Sequence, residues 1–271
     1  LALDYLQRSL ARRQEMNDKP SIALSLNNIG RLYSAQRDYA RALDYLQQAL
    51  KLYEALGDRS GLAHSLSDIG RTSYDRGDYA HAIALFEKAI DIKRRSLGPR
   101  HPALASNLNN LGHPLRELGR YEEAEAALRE AVSIGKESFG SDHPTRAMFD
   151  INLARILVRR GHAAQAEPML RSALAVRQKS MAPQDWRIAT AKLFLGEALL
   201  AERRYPEAEA LLLDARANMK DIPGPQGREF KVAGATLAAL YKAWGRPDKA
   251  AAYPVAAASS AGSGSGSGAR P

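Results

Sequence analysis

The chain contains no cysteine, which excludes disulfide staples, thiolate nucleophiles and cysteine-held metals. It has no apolar run long enough to span a bilayer, and no stretch alternates apolar and polar residues as a strand does. A phosphate loop ending in Lys-Ser/Thr, an HExxH helix, a GxSxG turn and the kinase signatures are all missing. The six histidines, His64, His81, His101, His113, His143 and His162, are scattered. His101 and His143 stand in similar settings, before Pro102 and Pro144, but too far apart to share a metal. No metal, no cofactor and no enzymatic chemistry are expected. A signal segment is also missing. The chain starts at Leu1 inside a charged helical pattern and reads as a piece of something longer. The compartment stays open, with the cytoplasm the favoured expectation.

What is present is ordinary for a folded protein: 271 residues, 45% hydrophobic and 25% charged. The net charge of +9 permits nucleic acid or acidic partners. However, Lys and Arg alternate with Asp and Glu almost everywhere, as on a solvated helical surface. The carboxylates Glu122, Glu123 and Glu125 fit that surface, since the equivalent places elsewhere hold Ala40, Arg41 and Leu43.

The chain repeats itself. A small residue recurs at Gly30, Gly70, Gly112, Ala154, Gly196 and Ala238. Each is preceded by Ile or Leu and followed by one alanine twelve residues on (Ala42 to Ala250) and another after seven more (Ala49 to Ala257). Such self-similarity at a fixed period marks a repeat architecture. Each unit reads as two helices. The first is expected about seven residues either side of the small residue, and the second begins near the first alanine. Gly- and Pro-rich joins such as "LGDRSG", "LGPRHP", "FGSDHP" and "IPGPQG" separate the units. The small residues belong where two helices cross closely. Pro114 falls inside a first helix, where it removes a backbone donor. Pro168 falls early in a second helix, where it is better tolerated.

This spacing, with Leu46, Phe86, Leu128, Leu170 and Leu212 between the alanines, resembles the tetratricopeptide repeat. The longer unit and the "LGPRHP" and "FGSDHP" joins are similar to the long-period, kinesin-light-chain-like subfamily. The last repeats resemble the C-terminal region of bacterial serine/threonine kinases. The resemblance implies an all-α, right-handed superhelical solenoid of antiparallel helix pairs. The expected parts are residues 1–18, a second helix whose first is missing; repeats at 19–60, 61–102, 103–144, 145–186 and 187–228; a short terminal repeat at 229–257; and a flexible Gly/Ser tail at 258–271.

At about 100° per residue, offsets −4, −1, 0 and +3 from the small residue share one side of the first helix, the core stripe. Offsets −3, −2, +1, +4 and +5 take the other. The resemblance implies that this second side lines a concave, ligand-facing groove. It carries Asn27, Asn28 and Arg31, then Asp68, Arg71 and Tyr74, then Asn109, Asn110, His113 and Arg116, then Asn152, Arg155 and Arg159. Phe194, with Leu193 and Leu200, adds an apolar patch. Asn both donates and accepts hydrogen bonds and suits a peptide main chain, whereas Arg suits carboxylates. The expected function is a non-catalytic scaffold for an extended, acidic peptide or protein segment. The alternatives are a subunit that assembles head to tail through uncapped ends, burying Leu3, Leu6 and Leu10, or a docking segment of a larger enzyme such as a kinase. Nucleic acid is disfavoured, because aromatics do not interleave with the basic residues along the groove.

Overall fold

In a computed structural model, the described residues are 2–220 and 227–253. Leu1, residues 221–226 and everything from Pro254 on, including Ala257 and the Gly/Ser tail, lie outside them. All regular structure among the described residues is helical. The elements are α1 (Ala2–Glu15), α2 (Lys19–Ala35), α3 (Tyr39–Leu56), α4 (Arg59–Arg76), α5 (Tyr79–Leu97), α6 (Pro102–Glu117), α7 (Tyr121–Ser138), α8 (Pro144–Arg159), α9 (Ala163–Ser180), α10 (Trp186–Ala201), α11 (Tyr205–Ala217), α12 (Gly227–Ala243) and α13 (Pro247–Ala251). No described helix is long and apolar enough to cross a membrane.

The helices form two compact units, Leu1–Ser180 and Met181–Pro271. In the first, each first helix packs on the second helix of its own repeat (α2 on α3, α4 on α5, α6 on α7, α8 on α9). The second helix then packs on the next first helix, and successive first helices also touch. In the second unit, α10 packs on α11 and α12, α11 on α12, and α12 on α13.

The first helices begin earlier than the small-residue pattern suggests. Helix α2 starts eleven residues before Gly30, because its start is set by a cap and not by the crossing. Asp18 and Asp58 accept the backbone N–H of Ser21 and Gly61, at 3.3 and 3.0 Å. Such caps satisfy donors that the first helical turn leaves unpaired. Each second helix starts three residues before its alanine, at Tyr39, Tyr79, Tyr121, Ala163 and Tyr205. The turn between the two helices needs one left-handed residue, and Gly77, Gly119, Gly161 and Gly245 supply it. Arg37 and Arg203 take the same conformation at φ 63° and 61° without that freedom.

The crossings are as tight as the small residues imply. A Cβ added at Gly30 would sit 2.6 Å from Leu46, one at Gly112 would sit 2.8 Å from Leu128, and one at Gly196 would sit 2.7 Å from Leu212. All three leucines are buried. The paired alanines Ala42 and Ala49, Ala82 and Ala89, and Ala124 and Ala131 are all fully buried, so the second helices use them to approach the first. Pro114 lies in the last turn of α6, and the helix continues past it to Glu117. Pro168 is the sixth residue of α9 and does not interrupt it. In α1, Leu10 is buried in a cluster with Leu26 and Ile29, and Leu3 and Leu6 pack against the same cluster. The apolar residues that suggested an end-to-end surface are therefore partly used inside the unit.

Candidate functional site

The face shared by α2, α4, α6 and α8 is built by helices lying side by side, so a residue's position on the wheel does not by itself decide what it meets. Offsets +1 and +5 look outward. Arg31, Arg71, Asp75, Glu117 and Arg159 are exposed, while His113 and Arg155 are partly buried. Offset −3 instead turns toward the neighbouring first helix. Asn27 is 5% exposed and Asn109 is 2% exposed.

Both buried asparagines are spent on joining repeats. Asn27 Nδ2 donates to Asp68 Oδ2 at 2.7 Å, and its Oδ1 accepts Ser65 Oγ at 2.8 Å. Asn152 Nδ2 donates to Asn109 Oδ1 at 2.8 Å. Thr72 donates to Ser34 at 3.0 Å across the same first seam. At the second seam, Asn107 Nδ2 donates to Ser67 Oγ at 2.7 Å while accepting from buried Lys93 Nζ at 2.8 Å. Burial holds the Lys93 ammonium below its ordinary pKa. The sequence reading put Asn27 and Asn109 on the groove-facing side and Asn152, with Asn28 and Asn110, in a ladder for a peptide main chain. The structure has the amides of Asn27, Asn109 and Asn152 bridging adjacent helices, because buried amides must find partners and the neighbouring helix is the nearest source. Asn28 and Asn110 remain partly exposed on the face.

The charges are also redistributed. Asp68 pairs with Arg71 at 2.8 Å and lies 3.9 Å from Arg31. Together with Asn27 it forms a cluster in which one carboxylate faces two guanidinium groups. Beside it is a concavity of about 510 Å³ lined by Leu6, Asn28, Arg31, Leu32, Arg71 and Asp75. Leu6, Leu32 and Asp75 were not anticipated there. Leu6 belongs to α1 in the preceding repeat, and no periodicity within one repeat points to it.

Farther along, Tyr74, His113, Arg116 and Arg155 come together. The rings of Tyr74 and His113 lie 6.0 Å apart, and the Tyr79 ring lies tilted against Tyr74 at 5.6 Å. Burial, with the nearby Arg116 and Arg155 charges, lowers the His113 imidazole from 6.5 to about 3, so it is neutral at pH 7. Burial raises the Tyr74 phenol, with Arg116 and Arg155 pulling the other way. Arg116 also pairs with Glu117 at 2.5 Å.

Phe194 departs furthest from expectation. It is 4% exposed, and Leu193 is fully buried. Their offsets, −3 and −2, are the flanks that the packing of α10 covers, so they form core and not an apolar patch on the open face. Trp186 is 38% exposed at the start of α10. Trp244 stacks on Tyr205 at 5.7 Å under the Arg246 guanidinium. Among the described residues, no group of three or more His, Asp or Glu side chains is placed to hold a metal ion.

Profiles of the tetratricopeptide repeat family match residues 1–55, 61–137 and 107–179, and a second tetratricopeptide profile matches 151–222. No curated protein sequence matches significantly. Among solved structures, BtubC (BKLC) from P. vanneervenii is 24% identical, with 82% of this chain and 93% of that one covered and a TM-score of 0.70. A Podospora anserina putative kinesin light chain with nearly identical TPR-like repeats is 23% identical, with 73% and 95% covered and a TM-score of 0.62. YrrB, a TPR protein with an unusual peptide-binding site, is 19% identical, with 79% and 93% covered and a TM-score of 0.51. At these identities the likeness speaks for the fold, and none of it supports the resemblance of the last repeats to a kinase region. With four profile matches along residues 1–222 and the paired helices, tight small-residue crossings and inter-repeat amide bridges described above, the chain belongs to the tetratricopeptide repeat family.

Proposed function

We propose that the chain is a non-catalytic scaffold that holds an extended, acidic segment of a protein partner along the face formed by α2, α4, α6 and α8. Tetratricopeptide arrays serve as protein-interaction scaffolds, and stacked repeats offer long surfaces suited to that use. The observation that carries the acidic preference is the convergence of Tyr74, neutral His113, Arg116 and Arg155 on neighbouring helices, with exposed Arg159 on the same helix as Arg155. Guanidinium groups favour carboxylates, and the phenol and imidazole add neutral hydrogen-bonding groups beside them. At the α2–α4 end, Asp68 offsets one of the two charges of Arg31 and Arg71, so the positive charge there is reduced but not removed. YrrB, of the same fold, is described as having a peptide-binding site, which makes a peptide a reasonable kind of ligand here.

The test is a library of extended acidic and neutral peptides, followed by anisotropy titrations of the enriched ones across a salt series. Arg155→Ala should weaken acidic peptides about tenfold and flatten the salt dependence, as loss of one charge-assisted contact would. Arg71→Ala should change binding less, because Arg71 lies outside the cluster of Tyr74, His113, Arg116 and Arg155. Equal effects of both variants, or no enrichment of acidic peptides, would refute the assignment.

A further inference from the structure

Five first helices of this chain, α2, α4, α6, α8 and α10, start on a side chain that accepts a backbone N–H. In three of them the acceptor is an aspartate: Asp18, Asp58 and Asp185. In the other two it is an imidazole. His101 Nδ1 accepts the N–H of Ala103 at 3.2 Å, and His143 Nδ1 accepts the N–H of Thr145 at 3.2 Å. The two caps match in backbone as well, with φ and ψ of −72° and 135° at His101 and −78° and 126° at His143. Pro102 and Pro144 follow directly, so the first helical position has no N–H and the cap must reach the second. Asp185 makes the same two-residue reach, to Arg187 N at 2.9 Å, at the start of α10.

This geometry fixes the chemistry of the two rings. A nitrogen that accepts an N–H carries no proton, so each ring must be neutral, with its proton on Nε2. A proton on Nδ1 would turn the acceptor into a donor facing another donor. It would also place a positive charge at a helix N-terminus, where the helix dipole opposes it. An aspartate cap has neither weakness above the carboxylate range.

The surroundings offer little to rescue a protonated ring. Before His101 in the chain, Arg94 at the end of α5 and Arg100 in the join are engaged by Glu130 and Glu137 of α7. Near His143, Asp142 is engaged by Lys179 of α9, and Arg146 lies 3.9 Å from Asp150 within α8. The His143 ring stacks on Phe139 with centroids 4.5 Å apart. None of these ion pairs includes an imidazole nitrogen. Both rings are exposed, so protons reach them without unfolding.

The geometry points to a pH-sensitive device: His101 and His143 are acid-releasable caps that fasten the starts of α6 and α8 when neutral and let them loosen when protonated. The consequence has one sign. The caps hold while the rings are neutral and are lost when the rings take up a proton. They sit at the joins entering repeats 3 and 4, so loosening is directed to the middle of the array and spares the aspartate-capped α2, α4 and α10. This inference does not depend on the ligand proposed above.

The experiment compares the full chain with two double variants, His101→Asp/His143→Asp and His101→Ala/His143→Ala. Hydrogen exchange of the α6 and α8 first turns is followed between pH 8 and pH 5, with exchange rates corrected for intrinsic pH dependence. In the wild type, protection there should fall about fivefold per cap over this range, the scale of losing one capping bond, while the α2, α4 and α10 starts keep theirs. The aspartate variant should hold its protection at pH 5. The alanine variant should already lack it at pH 8. His113 is common to all three proteins, so its own titration cancels in the comparison. If the wild type and the aspartate variant lose α6 and α8 protection in parallel, the proposal is wrong. It is equally wrong if nitrogen NMR at pH 8 finds the proton of His101 and His143 on Nδ1. Should a double variant fail to fold, the nitrogen NMR of the wild type and the single variants still decides.

Discussion

Adding one methyl group at successive helix crossings should give a graded loss of stability that follows the geometry. At Gly112, a Cβ would meet Leu128 Cγ at 2.8 Å and both Cδ atoms at 2.9 Å. That is closer than side-chain carbons approach, so Leu128, fixed in the core at 1% exposure, or the crossing itself must shift. Overpacking of this kind costs about 1–3 kcal/mol. Against it stands the better helix propensity of alanine, about 1 kcal/mol. Gly112→Ala should therefore destabilise the first unit by roughly 0–2 kcal/mol, and Gly112→Leu by about 3 kcal/mol or more. At Gly70 the nearest Phe86 atoms lie 3.2–3.3 Å from the added Cβ. A ring can tilt by the few tenths of an ångström required, so the propensity gain should win and Gly70→Ala should be neutral or stabilising. The protein already carries an alanine at the equivalent position of the next repeat, Ala154, whose methyl is fully buried. Urea melts followed by circular dichroism measure the order. Pairing Gly112→Ala with Leu128→Ala in a double-mutant cycle isolates the contact. If Gly70→Ala is the more damaging, or if the cycle shows no coupling between residues 112 and 128, the crossing does not carry the stability assigned to it.

Asn27→Ala should destabilise the first unit by about 1–3 kcal/mol, because it strands the buried Ser65 hydroxyl and takes a donor from Asp68; a thermal melt unchanged from wild type would return Asn27 to the open face. Arg37→Gly should stabilise by about 1 kcal/mol by relieving a left-handed arginine at a turn where other repeats use glycine, and this is read from the denaturation midpoint. His113 is held neutral down to about pH 3 in the folded chain, whereas the unfolded chain takes up the proton near the ordinary 6.5. Its contribution is therefore complete above pH 6.5 and is lost as the pH falls toward 3. After allowing for the solvent contact the residue keeps, that contribution is roughly 2–4 kcal/mol. His113→Asn should flatten stability over that interval, and an unchanged acid profile would contradict the burial argument.

The repeat period, the helix pairs and the crossings were legible in the sequence, because each depends on relations within one repeat. The small residue before a turn, the two alanines seven apart and the large side chain between them meet through local helix geometry, so spacing alone encodes Gly30 against Leu46 and Gly112 against Leu128. The outward positions of Arg31, Arg71 and Arg159 followed from the same arithmetic. What the wheel could not show is the neighbour. Asn27, Asn109 and Asn152 are polar residues on the side away from the core stripe, and only the packing of one first helix against the next turns them into bridges. Phe194 is also buried, and Asp68, already paired with Arg71 on its own helix, reaches Arg31 only because α2 and α4 lie side by side. The two histidine caps show both sources at work. Their place before proline was visible in the sequence, but the bond from the second backbone N–H to Nδ1 depends on backbone angles that the tertiary structure sets. One repeat's composition determines how it folds. The charge and openness of its exposed face depend on what the adjoining repeat presents, and a period of about forty residues carries no record of that pairing.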